Sequence, residues 1–367
     1  MYPMYVLVIL KSNKIMTDKL KINAIELLKK LISTQSFSGE EDETAAIIAN
    51  WLESSGVSFK RSMNNIWATN KYFDETKPTI LLNSHHDTVK PNKSYTRDPY
   101  EAKVEDGKLY GLGSNDAGGC LVSLLSIFVY YYNRTDLKYN IIVSATAEEE
   151  NSGDNGISSI LSSLPDIDFA IVGEPTTMNL AIAEKGLVVV DGCAIGIPGH
   201  AAHTNTVNPI YKAIKDINWI ENYKFPLVSE FLGEVKMSVT QINAGQQHNV
   251  VPAECDFVID VRVNDRYTNK QVFDIIDKNT ESNLVARSFK LNSSSIPKEH
   301  EIVLAGQKQG REIYGSPTLS DQARLQCPSL KLGPGDSTRS HSADEFIYIS
   351  EIGEGIELYI KILNEIL

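Results

Sequence analysis

Leu20, Ala24, Leu27, Leu28, Leu31 and Ile32 recur at helical spacing, with Thr17 placed to cap the first turn and Met16 just ahead of it, where an initiator would stand. Ser38-Gly39-Glu40-Glu41 has the form of a capping box and predicts a helix that runs to about residue 55, where Gly56 stops it. The short apolar run 79–82 reads as a buried strand. From 119 to 132 the chain is apolar nearly all round, the pattern of a helix covered on several sides. Further strands are expected at 140–145 and 169–172. Strands alternating with helices predict a mainly parallel sheet with helices on both faces.

After about residue 180 the texture changes. Segments 186–197 and 235–263 are rich in Val and Ile, with one helical pattern between them (208–222) and another after them (270–280). Segregation of this kind predicts a smaller α+β domain. A helical segment from 301, a strand at 329–332 and a terminal helix from 351 restore the first texture. The expected organisation is one α/β domain, 1–180 and 292–367, interrupted by an inserted α+β domain at 181–291.

A length of 367 residues suits two domains, and 42% hydrophobic with 22% charged residues excludes a chain dominated by disorder. The net charge of −12 and a pI near 5.1 argue against nucleic acid or an anionic membrane as partner, since both would be repelled. The apolar stretch 5–10 is too short to span a bilayer and lacks a basic leader and a cleavage site. Residues 1–15 are therefore expected to be a non-functional extension of a cytoplasmic protein. Cys120, Cys193, Cys255 and Cys327 lie far apart, which fits a reducing compartment better than a disulfide framework or a thiolate zinc site.

The chemistry gathers just past predicted strands. His85 and Asp87 follow the first strand, Glu148, Glu149 and Glu150 the second and Glu174 the third, while His341 lies in the loop after 329–332. In an open α/β sheet such positions converge on one crevice. Imidazoles and carboxylates meeting there would suit zinc. Each signal alone has a plain reading: a surface hydrogen bond for His-x-Asp, a solvated face for three glutamates, a turn for Glu174-Pro175-Thr176. Their joint placement is what points to a metal site. Gly111-Leu112-Gly113 lacks a third glycine and follows no convincing strand, so it is not a dinucleotide fingerprint.

Five motifs occur in order: Ser84-His85-His86-Asp87-Thr88-Val89, Gly111-Leu112-Gly113-Ser114-Asn115-Asp116-Ala117-Gly118-Gly119, Ala147-Glu148-Glu149-Glu150, Gly173-Glu174-Pro175-Thr176 and His341-Ser342-Ala343-Asp344-Glu345. Together they resemble the metal-site motifs of the acetylornithine deacetylase, succinyl-diaminopimelate desuccinylase and aminoacylase family, over nearly all of the chain after residue 17. The resemblance implies a zinc-exopeptidase-like catalytic domain and, in 181–291, a dimerisation (lid) domain, hence a homodimer. It implies two Zn²⁺ ions, replaceable by Co²⁺, one held by His85, Asp116 and Glu174 and the other by Asp116, Glu150 and His341, with Asp116 bridging. Asp87 would accept a hydrogen bond from His85 and fix its tautomer. Glu149 would be the general base, taking a proton from a water acidified by the two ions and delivering it to the leaving amine.

In Gly196-Ile197-Pro198-Gly199-His200-Ala201-Ala202 the resemblance makes His200 the residue that reaches the partner subunit's site to stabilise an oxyanion; a surface loop histidine is the alternative. Asn249 and Arg262 match positions that contact the substrate carboxylate, although Arg262 also suits a strand-face ion pair. His86, His203, His248 and His300 receive no catalytic role. This chain departs from the pattern at Glu148, where the family usually has Asp. That leaves a one-residue slip between base and ligand open; the alignment of Ala145-Thr146-Ala147 favours Glu149 as base. Leu112, Ala117 and Gly118 also differ from the commoner form. The stretch from Gly333 to Arg339 looks like the acetylornithine or acetylcitrulline deacetylase branch, where Arg339 would bind a second substrate carboxylate or serve the structure. The expected activity is removal of an acetyl or succinyl group from the α-amino nitrogen of ornithine or citrulline, in arginine biosynthesis. Its alternatives are a succinyl-diaminopimelate desuccinylase, a di- or aminopeptidase, and a metal-free binding or assembly protein.

Overall fold

Seven-residue strands with an apolar centre and no exposed position need cover on both faces, and they form the middle of a sheet. The computed structural model describes residues 2–367, with side chains from residue 16 onward. Its first elements are α1 (Tyr2–Ile32), α2 (Asp42–Ser54), β1 (Lys60–Ser62), β2 (Asn65–Thr69), β3 (Thr79–His85), β4 (Lys103–Glu105), β5 (Lys108–Tyr110), α3 (Gly119–Tyr131), β6 (Asn140–Thr146), α4 (Ile157–Ile160), β7 (Phe169–Val172) and β8 (Leu180–Glu184). There follow β9 (Gly186–Ile195), β10 (Gly199–His200), α5 (Pro209–Asn222), β11 (Lys236–Asn243), β12 (Val250–Val251), β13 (Glu254–Val263), α6 (Asn269–Asn279), β14 (Asn283–Ala286) and β15 (Ser294–Ser295). The last are α7 (Glu301–Lys308), β16 (Ile313–Ser316), β17 (Ser329–Lys331), β18 (Phe346–Tyr348) and α8 (Ile349–Leu363).

The chain forms two units, one of Met1–Ile182, Ile296–Tyr314 and Ser320–Leu367, the other of Ala183–Ser295 and Gly315–Leu319. The first unit is built on a sheet of order β1-β2-β6-β3-β7-β17-β8. Its centre is parallel: β3 pairs with β6 and β7, and β7 with β17. Antiparallel strands close its sides, β2 against β6 and β17 against β8. This is the mainly parallel α/β arrangement expected from the alternation of strands and helices. On one face α3 packs against β3 and β6 and is covered in turn by α1 and α8. That cover explains its lack of a polar stripe, and its two buried serines bond back to carbonyls four residues earlier, Ser123 to Gly119 at 2.7 Å and Ser126 to Val122 at 2.7 Å. On the other face Leu81, Ile142 and Ala170 pack with Ile157 of α4 and with Leu161, Leu164 and Leu325.

The second unit has a four-stranded antiparallel sheet of order β11-β13-β9-β14. Buried and half-exposed residues alternate along β9 and β13, so one face carries the core. Val188, Val190, Phe257, Ile259 and Val261 pack there with Ala213 and Ile220 of α5 and with Val272 and Ile276 of α6. Asn208 caps α5 by accepting from Ile210 N, and Thr268 with Gln271 forms a capping box on α6. A short antiparallel pair, β10 with β12, sets His200 opposite Val250.

Two local expectations are corrected. Thr17 does not begin a helix: α1 passes through it from Tyr2, because after Pro3 in the first turn no glycine or proline interrupts the stretch and extending a helix costs less than starting one. The side chains of residues 1–15, the expected extension, lie outside the described residues. Nor does Ser38-Gly39-Glu40-Glu41 form a capping box. Glu41 is itself the N-cap of α2 and makes no side-chain cap bond; its buried carboxylate accepts from Asn64 Nδ2 at 2.8 Å and Glu148 N at 3.2 Å, while Ser38 Oγ donates to Asp87 Oδ2 at 2.7 Å. Among the described residues, no helix is long and apolar enough to cross a membrane.

Candidate metal centre

The parallel strands β3, β6, β7 and β17 end along one edge, and the segments that leave them hold the candidate ligands. His85 is the last residue of β3, Glu149 and Glu150 follow β6, and Glu174 follows β7. Asp116 comes from the turn between β5 and α3, where the Asp116–Ala117 peptide is cis. Two glycines make that turn possible. Gly113 sits at φ +73°, and a Cβ on Gly118 would stand 2.4 Å from the Gly113 carbonyl oxygen.

Behind these loops, buried carboxylates collect their backbone N–H groups. Asp87 accepts from Glu149 N and Glu150 N, each at 3.1 Å, as well as from Ser38. Glu345 accepts from Gly113 N, Asn115 N and Asp116 N at 3.2, 2.8 and 3.0 Å. The loops are thus held from the rear, and their acidic side chains face forward.

What faces forward forms two groups that share a member. His85, Asp116 and Glu174 bring one donor atom each within 4.8 Å of one another, and so do Asp116, Glu150 and His341. In the first, His85 Nε2 lies 3.4 Å from Asp116 Oδ1 and 3.9 Å from Glu174 Oε1. In the second, His341 Nε2 lies 3.0 Å from Glu150 Oε2 and 3.5 Å from Asp116 Oδ2. Bonds of about 2.0–2.2 Å around a tetrahedral ion set neighbouring donors roughly 3.3–3.6 Å apart. The observed spacings bracket that range, and Asp116 turns one oxygen toward each group. His85 Nε2 and Glu174 Oε1 are buried without a hydrogen-bond partner, facing one another. Buried orphan atoms of this kind are costly unless something fills the space between them. The residues fit a pair of divalent ions.

Electrostatics agree. Burial pushes the Glu149 carboxyl well above its ordinary range, with Glu174, Asp321 and Glu150 adding to the effect against the pull of His85. Burial and then Asp116 push Glu174 up to about 8. Burial opposes charge on His85, but Glu149, Asp116 and Asp87 raise it well above the usual imidazole value, and the hydrogen bond to Glu150 raises His341 to about 9. Asp116 is held below its ordinary value by His85, Ser340 and His341 in spite of its burial. So many acids in one cavity require either protons or cations, and cations that bind there displace protons.

The geometry distinguishes the three glutamates. Glu148 adopts φ +54° and turns away, accepting from Asn155 N and Nδ2 at 3.0 and 2.9 Å. Glu150 meets His341. Glu149 belongs to neither donor group and brings Oε2 to 4.0 Å from His85 Nε2. Asp87 receives His85 Nδ1 at 3.3 Å on its carboxylate and 3.0 Å on its own carbonyl, which leaves Nε2 pointing at the cavity.

The other expected site residues have contacts of their own. Arg339 is engaged within the first unit: its guanidinium donates to both oxygens of Glu351 at 2.7 and 2.9 Å and lies over Phe346 and Tyr348. In the second unit Arg262 makes a strand-face pair with Asp260 at 2.8 and 3.0 Å. A carboxylate of the chain thus occupies each guanidinium fork. His200 and Asn249 are exposed; His200 Nδ1 accepts from Ala202 N at 3.2 Å, and the Asn249 carbonyl accepts from Ala201 N at 3.0 Å.

Sequence reasoning missed Glu41, Glu345 and Asp321. Asp321 is buried beneath the site and accepts from Asn83 Nδ2 and Thr146 Oγ1, each at 2.8 Å. Glu345 closes one of the five motifs, which is a signal of sorts; Glu41 stood only in the expected capping box, and Asp321 sits in no motif.

Comparison with known proteins shows the family and its fold. The profile of Peptidase family M20/M25/M40 matches residues 81–365. Succinyl-diaminopimelate desuccinylase 2 of Ruegeria sp. (strain TM1040) is 24% identical over 387 residues, covering 94% of this chain and 95% of that protein. Acetylornithine deacetylase of Buchnera aphidicola subsp. Schizaphis graminum is 27% identical over 377 residues, covering 94% and 97%. Among solved structures, a dinuclear metal binding peptidase of Bacillus subtilis superposes with a TM-score of 0.72 at 15% identity, over 94% of this chain and 98% of that one.

Proposed function

The chain belongs to peptidase family M20/M25/M40, and from that premise we propose that it is a two-zinc deacylase of small N-acyl amino acids. The observation that carries this reading is Asp116, with one carboxylate oxygen in each of two donor groups. A zinc pair supplies polarisation of the scissile carbonyl and acidification of a water. The remaining work falls to the chain. His85, Asp116 and Glu174 hold one ion, and Asp116, Glu150 and His341 the other; Co²⁺ can replace Zn²⁺. Asp87 keeps the His85 proton on Nδ1 and fixes the loop of Glu149 and Glu150 from behind. Glu149, at the edge of the donor groups and raised in basicity by burial, takes the proton from water and returns it to the departing amine.

The acyl group is acetyl or succinyl, and the amino acid ornithine or citrulline; the acetylornithine deacetylase relative and the stretch before His341 support this. The desuccinylase relative equally supports succinyl-diaminopimelate as substrate. A metal-free binding protein is disfavoured by the orphaned buried atoms of His85 and Glu174. His200 acts in the partner subunit's site within a homodimer, and Asn249 contacts the substrate. Exposed Tyr211 and Ile214 on α5 support such an assembly. Free cysteines throughout the described residues support a cytoplasmic location.

The test is amine release from a panel of N-acetyl and N-succinyl ornithine, citrulline and diaminopimelate, with dipeptides for comparison. The reading requires that a strong chelator abolish release and that Zn²⁺ or Co²⁺ restore it. Glu149→Gln is expected to lower turnover by about 10²–10⁴ with metal content intact. Chelator-insensitive turnover would remove the metal from the mechanism.

A further inference from the structure

The turn that carries Asp116 makes no regular ladder with its own N–H groups. Three of them, on Gly113, Asn115 and Asp116, converge on the carboxylate of Glu345, and Gly111 N donates to the Glu345 carbonyl at 3.0 Å. The neighbouring Asp344, at φ +54°, reaches the opposite way: it accepts from Thr96 N and Arg97 N, each at 2.9 Å, and from the Thr96 hydroxyl. On the same loop the His341 carbonyl accepts from Asn92 Nδ2 at 3.1 Å. Two adjacent acids therefore bracket three segments, 92–97, 111–116 and 341–345. The first acid fixes the turn of Asp116, and the second fixes the loop of His341.

We propose that Glu345 is a positioning residue that sets the direction of the Asp116 carboxylate and thereby the capacity of the site to hold two ions at once. It is buried, and its carboxylate oxygens are bonded to the turn's backbone N–H groups. Both oxygens are needed as acceptors: Oε2 takes the Gly113 N–H, and Oε1 takes those of Asn115 and Asp116. Glutamine keeps the size of the side chain but supplies only one acceptor oxygen. Its amide NH₂ would then confront an N–H group of the turn, either Gly113 or the Asn115–Asp116 pair. A buried donor without an acceptor disfavours the native turn and lets Asp116 rotate away from one of its two neighbours. Outer carboxylates of this kind typically change metal affinity by about 10–100-fold.

This inference rests on the two-ion reading of the site, and the experiment separates the two. Wild type and Glu345→Gln are stripped with chelator, then titrated with Zn²⁺ and with Co²⁺, following bound metal by equilibrium dialysis and the Co²⁺ centre by its visible absorption; circular dichroism reports the fold. Glu345→Gln is expected to keep the wild-type fold and bind the second equivalent about 10–100-fold more weakly, with an altered Co²⁺ spectrum at two equivalents. Two equivalents bound at wild-type affinity with an unchanged spectrum overturn the proposal and leave the two-ion reading standing. Failure of the wild type to bind two ions overturns both. Should Glu345→Gln not fold, Glu345→Asp keeps the charge and withdraws the acceptors by one methylene. It carries the same expectation and the same overturning result.

Discussion

Arg339 and Glu351 meet through two parallel hydrogen bonds, with only 17% and 24% of their side-chain surfaces exposed. We propose that an arginine so engaged serves the loop ahead of His341 rather than a free carboxylate. Arg339→Met is expected to lower stability by about 1–3 kcal/mol in urea unfolding, and to change KM for an N-succinyl substrate by no more than about twofold. A large rise in KM at unchanged stability would return Arg339 to the substrate. His86 offers a test by pH. Burial lowers it to about 4 from an ordinary 6.5; its Nε2 lies 2.8 Å from the Asn64 carbonyl and its Nδ1 2.9 Å from the Thr44 hydroxyl. The unfolded chain accepts a proton that the folded chain refuses, so stability is full above 6.5 and falls by about 3 kcal/mol as pH drops toward 4. Replacing His86 with Gln should flatten that dependence when chelator-treated proteins are unfolded in urea at pH 7.5 and 5. Identical slopes would clear His86 of acid sensitivity. At this scale the sequence displayed residue types but not their partners. His85, Asp116 and His341 stood out by type and place, whereas nothing in the local sequence distinguishes Arg339 bound to Glu351 from Arg339 awaiting a ligand.

Elements were more readable than their ends. Apolar runs identified β3, β6 and α3, because burial on all sides leaves few polar positions, and those are small or hydrogen-bonded. The cap of α2 misled because Glu41 is drawn to Glu148, a partner 107 residues away, and a local motif cannot register so distant a claim on its side chain. The turn before α3 shows the opposite case, where local sequence says much. Gly118→Ala would place a methyl group 2.4 Å from the Gly113 carbonyl oxygen and 2.6 Å from Leu28 Cδ1. Backbone has to move, so a loss of about 1–3 kcal/mol is expected, with weaker metal retention because Asp116 shares the turn. Thermal melting and metal analysis of the same sample check both, and a wild-type melting point would mean the turn yields more easily than its spacing suggests.

At the scale of the whole molecule the chain was expected to leave its first domain once, over 181–291. The second unit instead draws on two stretches, Ala183–Ser295 and the five residues Gly315–Leu319. The second stretch is too short and polar to show any periodicity, so no pattern announced it. Assembly also belongs to this scale. If His200 serves the neighbouring subunit, co-expressing His200→Ala with Glu149→Gln creates mixed dimers in which one site has both groups. Random mixing should then restore about a quarter of wild-type activity from two inactive parents, as expected of a closed two-fold dimer. No recovery would assign His200 to its own chain or to none.

The five-residue return has a practical meaning for anyone recombining this protein with its relatives. Gly315 lies so close to Phe231 that a Cβ would stand 2.2 Å from the Phe231 carbonyl oxygen. A chimera that swaps 183–295 alone would seat a foreign module on a native wedge. Crossovers that transfer the short segment together with the long one are the ones expected to yield folded hybrids.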